Sequence, residues 1–241
     1  MILFKNIKKG YENQSIIKDF NLMIQAEEFV TVIGSSGSGK TTILKMINGL
    51  IKPDEGEIFI EGKNIANENL IHLRRNIGYA IQGSILFPHL TIERNISYVP
   101  RLLNNGHKEK TKQAVIKWMR MLGLDEQLLR RYPHELSGGQ QQRVGIARSL
   151  ASSPKLLLMD EPFGAVDEIT RSHLQAEIKG IHEQSKITIV FVTHDISEAL
   201  KLGTKVLVMD KGLIHQYEKP DKILANPKTA FVQQLIANYK K

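Results

Sequence analysis

Short unbroken apolar runs recur along the chain, separated by longer stretches in which apolar residues return at helical spacing. Phe29-Val30-Thr31-Val32-Ile33, Ile187-Thr188-Ile189-Val190-Phe191-Val192-Thr193 and Lys205-Val206-Leu207-Val208-Met209 have the length and β-branched content of buried strands. Lys155-Leu156-Leu157-Leu158-Met159 reads the same way and runs into two carboxylates, Asp160-Glu161. Ile77-Gly78-Tyr79-Ala80-Ile81 is a further strand, ending in the polar Gln82. Between these runs the spacing predicts helices from about Lys40 to Asn48, over 67–76, over 92–131 with a break at Asn104-Asn105-Gly106, over 141–152 and over 168–184. Such alternation of strand and helix implies a mostly parallel sheet covered on both faces. Residues 1–27 differ: they alternate weakly, with turns at Lys9-Gly10 and Glu12-Asn13, and read as two strands of an antiparallel edge with Tyr11 in the turn. After a turn at Pro53-Asp54-Glu55-Gly56, residues 57–62 alternate like a half-exposed strand. The expected fold is therefore α/β, one domain over 1–241, with an antiparallel β edge at the N-terminus and a helical subdomain over approximately 84–152. The apolar stripe Trp118, Met119, Met121 and Leu122 is assigned to the core of that subdomain.

Composition narrows the setting. A hydrophobic fraction of 41% and a charged fraction of 24% are ordinary for a soluble globular chain. No apolar run has the length of a bilayer span, and Met1-Ile2-Leu3-Phe4 passes straight into Lys5 without a signal-peptide pattern. There is no cysteine, which removes disulfides and Cys-ligated metals. These features suit the cytoplasm. The net charge of +8 is spread along the chain, with a single Trp and no aromatics interleaved among the basic residues. That pattern favours nucleotide phosphates and an anionic lipid surface as partners, and disfavours nucleic acid.

Ligands of parallel sheets sit at the carboxyl ends of the strands. Gly34, Gln82, Asp160 and His194 each follow an apolar run, so each is a candidate site residue. The stretch Gly34-Ser35-Ser36-Gly37-Ser38-Gly39-Lys40-Thr41, continued by Thr42, fits G-x-x-x-x-G-K-[ST] between a strand and a helix. Small residues let successive backbone N–H groups turn inward as an anion nest, and the helix start adds its positive end. Lys40 then reaches the β- and γ-phosphates of ATP, and the Thr41 hydroxyl ligates Mg²⁺, which gives a P-loop NTPase core. Two adjacent carboxylates at a strand end need a cation nearby. Asp160 meets that need by taking Mg²⁺ through its water shell, and Glu161 can act as general base on the water attacking the γ-phosphate. Leu136-Ser137-Gly138-Gly139-Gln140 is a second Ser/Gly turn at a helix start. It is either an ordinary cap by Ser137 or a second phosphate nest. One chain does not need two nests on one γ-phosphate, but two chains could share them.

Taken in order, Tyr11, the loop 34–41, Gln82, Leu-Ser-Gly-Gly-Gln at 136–140, Leu156 to Glu161 with Pro162, Asp167 and His194 make the chain resemble an ATP-binding cassette (ABC) ATPase over essentially its whole length. The resemblance implies that Tyr11 stacks on adenine and that Gln82 touches Mg²⁺ and senses the γ-phosphate. It also implies that Ser137, Gly138 and Gln140, with Gly139, close over the γ-phosphate of a partner subunit's ATP, and that His194 holds Glu161 and water in line. Asp167 falls at the dimer interface, although Gly164-Ala165-Val166-Asp167 departs mildly from the family's Ser-Ala-Leu-Asp. Gln140 to Val144, Phe163 to Arg171 and Asn95 to Leu103 are similar to the osmoprotectant importer ATPases, which serve quaternary amines such as glycine betaine, carnitine or choline. Pro220, Ile223-Leu224, Asn226-Pro227 and Phe231-Val232 resemble the tail of many bacterial importer ATPases. Many osmoprotectant members carry a regulatory CBS-domain pair after the ATPase. This sequence shows none before Lys241, so ionic-strength sensing by that pair is not expected of it.

The implied assembly is a homodimer, or a dimer with a paralogous cassette, docked on two membrane permease subunits at the cytoplasmic face of the cell membrane and served indirectly by a solute-binding protein. The loop Gly83–Thr91, with Phe87-Pro88 as an exposed apolar pair, is the expected permease contact. The competing readings are a soluble ABC ATPase acting on nucleic acid or the ribosome, and an importer ATPase for another small solute such as an amino acid.

Overall fold

The computed structural model describes every residue except 13, 82, 84, 85, 105, 106, 165, 240 and 241, and the backbone alone of Asn238. In chain order the elements are β1 (Ile2–Tyr11), β2 (Gln14–Ile24), β3 (Phe29–Gly34), α1 (Lys40–Ile47), β4 (Glu55–Ile60), β5 (Lys63–Asn64) and α2 (Leu70–Arg75). Then come β6 (Ile77–Ala80), α3 (Ile92–Leu103), α4 (Lys108–Met121), α5 (Gly138–Leu150), β7 (Leu156–Asp160) and α6 (Glu168–Ser185). The chain continues through β8 (Thr188–Val192), α7 (Ile196–Leu202), β9 (Lys205–Asp210), β10 (Leu213–Glu218), α8 (Pro220–Ala225) and α9 (Ala230–Tyr239). They form two compact units, one of residues 1–74 and 186–241, the other of residues 75–185.

The first unit holds two sheets. In one, the strands lie in the order β2-β1-β4-β5 and pair antiparallel, which extends the N-terminal edge expected from the alternation. Tyr11 is the last residue of β1 and pairs with Gln14, so it lies at the strand's end, not in the turn proper. Ile2, Phe4 and Ile7 of β1 face Ile17, Phe20, Leu22 and Ile24 of β2 inside the unit, with the Phe4 and Phe20 rings edge-on at 5.0 Å. Each side chain of that size contributes about 1.5–3 kcal/mol when fully buried.

The other sheet of this unit runs β10-β9-β3-β8, with β3 parallel to both neighbours and β10 antiparallel to β9. β3, β8 and β9 are apolar on both faces because both are covered, while the edge strand β10 is half-exposed. Ile33, Val206 and Val208 pack with Ala199 of α7, Ile223 of α8, and Val232 and Ile236 of α9. The start of β3 is clasped by Glu28, whose carboxylate accepts from Lys205 Nζ at 2.8 Å, Tyr217 Oη at 2.9 Å and the Gln25 amide at 2.9 Å. Burial pushes the Glu28 carboxyl up, but the bonds from Lys205, Gln25 and Tyr217 outweigh it and hold the group below its ordinary value.

In the second unit β6 and β7 pair in parallel, from Ile77 opposite Leu156 to Ala80 opposite Met159. A Cβ on Gly78 would lie 2.4 Å from the Ser149 carbonyl oxygen, so the glycine lets α5 lie close against β6. Trp118, Met119 and Leu122 are buried and Met121 is half-buried, as the apolar stripe predicts. An Arg143–Glu177 ion pair at 3.3 Å joins α5 to α6.

Candidate functional site

In the first unit β3 delivers the loop 34–39 to α1. Gly34 has to be glycine here, since a Cβ would sit 1.9 Å from the Met209 carbonyl oxygen on β9. Gly39, the N-cap of α1, has φ 99, and a Cβ there would press on Ile17 Cδ1 at 2.4 Å. The loop is thus held between β9 on one side and β2 on the other, with one internal bond from Ser38 N to the Ser35 carbonyl at 3.2 Å. Lys40 is 8% exposed, and its amine donates to the carbonyls of Gly34 at 2.9 Å and Ser35 at 2.8 Å. Its charge is pinned beside the loop. Ser38 Oγ is buried without a hydrogen-bond partner. An orphaned hydroxyl in a glycine-lined turn at a helix N-terminus is what a phosphate oxygen satisfies. Thr41 and Thr42, in the first turn of α1, are half-exposed.

Two further elements of this unit border the loop. Ser35 Oγ donates to Asp210, the last residue of β9. Asp210 ends an apolar run just as Asp160 does, so the sequence carries the same signal for both. His194, exposed, follows β8 in a turn fixed on both sides. Thr193 N donates to the Val32 carbonyl at 3.1 Å, Thr193 Oγ1 to Glu198 at 2.6 Å, and Asp195 caps α7 by accepting from Ser197 N at 2.7 Å. His194 therefore stands at the same sheet end that β3 gives to the loop. Tyr11 is 44% exposed with the Lys9 ammonium 5.4 Å from its ring centre, which leaves an aromatic face for stacking.

The second unit carries the remaining candidates. Asp160 ends β7 half-buried; burial, and after it the charge of Asp160, pushes the Tyr79 hydroxyl up to about 12. Glu161 follows at φ 44, a left-handed conformation that costs a non-glycine residue about 1–3 kcal/mol. The strand geometry is broken there, which re-aims the carboxylate relative to Asp160. The Leu136–Gln140 turn forms a complete capping box: Ser137 Oγ accepts from Gln140 N at 3.3 Å, and Gln140 Oε1 accepts from Ser137 N at 3.0 Å. α5 accordingly begins at Gly138, three residues earlier than the spacing predicts. Ser137 and Gly138 are exposed, and nothing lies within 4 Å of where a Gly138 Cβ would be. Gly139 is tighter, with Thr170 Cγ2 at 2.9 Å from its Cβ position. Asp167 caps the next helix, accepting from Thr170 N at 2.9 Å, and this bond holds its carboxyl below the usual range.

Gln82 lies outside the described residues. In the loop that follows, one expectation is corrected: Phe87 is half-buried, not exposed. Its ring lies 5.1 Å from Tyr98 and under the Arg148 guanidinium at 5.3 Å. The fully buried Asn95 ties the loop down, accepting from Phe87 N at 2.8 Å and donating to the Phe87, Leu90 and Thr91 carbonyls. A run of Phe-Pro in a polar loop reads as exposed because the amide that anchors it lies on the next helix. Pro88 is exposed.

Known proteins resemble this chain at every level. The ABC transporter family profile matches residues 17–164. The choline transport ATP-binding protein OpuBA of Bacillus subtilis is 47% identical over 98% of this chain and 62% of its own length. The carnitine transport ATP-binding protein OpuCA of Listeria monocytogenes is 48% identical over 98% of this chain and 59% of its own. The glycine betaine uptake system ATP-binding protein YehX of Escherichia coli is 47% identical over 97% of this chain and 76% of its own. The chain spans about three fifths of the length of the first two. Among solved structures, a dimeric ATP-binding cassette in a post-hydrolysis state, bound to ADP and Pi, superposes with a TM-score of 0.81 at 34% identity, covering 91% of this chain and 99% of that one. A match of this extent, on a chain with a phosphate loop of this geometry, shows that it belongs to the ABC transporter family.

Proposed function

We propose that this chain is the ATP-hydrolysing subunit of a multi-subunit membrane importer for osmoprotectant quaternary amines. The observation that carries the reading is the loop 34–39, glycine-lined at β3 and α1 with Lys40 pinned beside it and Ser38 Oγ unsatisfied. Gly34 to Thr42 bind the phosphates of ATP, and Tyr11 stacks on the adenine. Thr41, Asp160 and Gln82 hold Mg²⁺, which supplies charge neutralisation at the phosphates when bound. Among the described residues no group of three or more His, Asp or Glu could cage a metal. Mg²⁺ suits that donor set, because it is commonly held by one or two carboxylates, a hydroxyl and the substrate's own phosphates. Glu161 accepts the proton of the attacking water and His194 orients it.

Ser137, Gly138, Gly139 and Gln140 act on the ATP of the other subunit in a dimer, homodimeric or with a paralogous cassette. The chain functions as one ABC ATPase domain in which residues 84–152 form the helical subdomain, and Pro88 in the loop 83–91 contributes to the contact with two permease subunits. No described helix is long and apolar enough to cross a membrane. Docking on separate channel subunits at the cytoplasmic face is proposed from the relatives named as transport ATP-binding proteins. The relatives named for choline, carnitine and glycine betaine transport support the quaternary-amine assignment. Relatives at 38% identity are named for sulfate/thiosulfate import, in keeping with selectivity that resides in other chains.

The test is uptake of labelled glycine betaine, carnitine and choline at raised osmolarity by cells lacking this chain. Uptake of at least one should fall to background and be restored by the native chain but not by Glu161→Gln. Unchanged uptake of all three, with ATP hydrolysis by the purified chain intact, would remove the solute assignment and leave the ATPase.

A further inference from the structure

We infer that the second unit carries an anion-binding groove between α3 and α4, built for a phosphate ester. The groove encloses about 470 Å³ and is lined by residues of 93–115, none of which has a role in the nucleotide chemistry above. The inference therefore stands independently of that reading.

Helical geometry assembles the walls. Arg94, Ser97 and Arg101 are spaced three and four apart and share one face of α3. Lys108, Thr111, Lys112 and Val115 share one face of α4 in the same way. The two faces oppose each other across the groove. Its floor is made of buried residues, with Ser97 at 5%, Thr111 at 7% and Val115 at 2% exposure, while the four cations stand exposed at the walls. Thr111 Oγ1 is committed, donating to the His107 carbonyl and accepting from Asn104 Nδ2, both at 3.1 Å. The Ser97 hydroxyl has no hydrogen-bond partner among the described residues and, in a residue only 5% exposed, it opens onto the groove that it lines. A serine inside a helix ordinarily returns its hydroxyl to a carbonyl of the preceding turn.

The charge pattern runs against local stability. A helix N-terminus favours carboxylates, yet α4 opens Lys108-Glu109-Lys110 and continues to Lys112, with an N-cap His107 that makes no side-chain cap. Lys108 and Lys112 are a like-charge pair at i, i+4. None of Arg94, Arg101, Lys108 or Lys112 forms an ion pair with a carboxylate among the described residues. Glu93 is the one carboxylate in the lining, against four cations. Four cations without carboxylate partners, lining one groove with an accessible serine hydroxyl at its floor and the positive end of α4 beside it, complement the oxygens of a phosphate. Val115 and the aliphatic stems of the cations suit the apolar part of the same ligand. That ligand is either the headgroup of an anionic phospholipid or a soluble phosphate ester.

Two probes separate these sources. In a Lys40→Ala background, which removes the loop's own phosphate site, the chain is co-sedimented with vesicles of phosphatidylglycerol and phosphatidylcholine and, separately, titrated with inorganic pyrophosphate by calorimetry. Affinity for at least one probe should fall more than about tenfold when Arg94, Arg101, Lys108 and Lys112 are changed to Gln. A control variant with Lys18, Lys52, Lys63 and Lys211 changed to Gln loses the same charge from the first unit and should keep most of the binding. Loss on vesicles alone assigns a lipid headgroup; loss with pyrophosphate assigns a soluble ligand. Equal loss in both variants, or no binding of either probe, overturns the groove. Circular dichroism of the groove variant keeps the test readable: on α4 the lost Lys108–Lys112 repulsion offsets the lost Glu109–Lys112 attraction, so helix content should be unchanged, and a fall in helix content with loss of binding counts against a ligand role for these residues.

Discussion

Two Ser/Gly turns in this chain each deliver a helix, and they are built on opposite plans. The loop 34–39 is defined by backbone constraints: Gly34 sits against the β9 carbonyl and Gly39 caps α1 at φ 99 with no side chain to offer. Its one buried hydroxyl, Ser38 Oγ, has no partner. The 137–140 turn is defined by side chains: Ser137 and Gln140 satisfy each other's backbone in a capping box, and Gly138 faces open space. The first turn is a cradle that needs an anion to complete it. The second is already a satisfied helix cap whose exposed Ser137 and Gly138 can meet a ligand only if one is brought to them. That difference is what a shared site between two subunits requires, one chain holding the nucleotide and the other presenting a finished surface to it.

The largest test of the cradle is Lys40→Ala. It removes the cation that the Gly34 and Ser35 carbonyls hold beside the loop, and ATP affinity by calorimetry should fall about 100-fold or more. Unchanged affinity would take the loop out of the account. Glu161→Gln should leave binding intact, lower hydrolysis about 100-fold and accumulate an ATP-bound dimer on size exclusion, because the turnover that opens the closed state needs the base. A monomer with ATP, or native turnover, contradicts the role of Glu161.

The next two changes address the contrast itself. Gly39→Ala should destabilise the fold by about 1–3 kcal/mol in urea unfolding, since the new Cβ meets Ile17 in a left-handed backbone. Gly138→Ala should be neutral or stabilise by about 0.4–1 kcal/mol, because its site is open and the unfolded chain loses freedom. Equal effects at the two glycines would erase the distinction.

Much of this was legible in the sequence because buried strands and phosphate loops are written in local patterns. Phe29–Gly34, Leu156–Asp160 and Thr188–Val192 appear within a residue or two of their apolar runs. Strand β10 leaves no clear pattern, because Leu213–Glu218 mixes apolar and polar residues on a half-exposed sheet edge. Its hairpin turn carries a usable signal in Lys211-Gly212, both at positive φ as a two-residue turn requires. The half-buried Phe87 and the link from Ser35 to Asp210 were hidden for a different reason. Each depends on a partner brought in by tertiary structure, Asn95 from the following helix and Asp210 from a strand far along the chain. Periodicity reports which face is buried, not what hydrogen-bonds across it.

The most direct measurement of the central claim mixes two inactive chains. Lys40→Ala lacks a working cradle, and Gly138→Asp puts a carboxylate, with room to fit, on the exposed turn. Each homodimer has both sites disabled. In a mixed dimer one site carries both lesions while the other has an intact loop and an intact turn. With random pairing, half of the dimers are mixed and half of their sites are whole, so ATP hydrolysis should recover to about a quarter of the native rate. Activity well above both parent variants is the predicted result. No recovery, with mixed dimers demonstrated by native mass spectrometry and ATP bound at the intact loop, would contradict a site shared between two subunits.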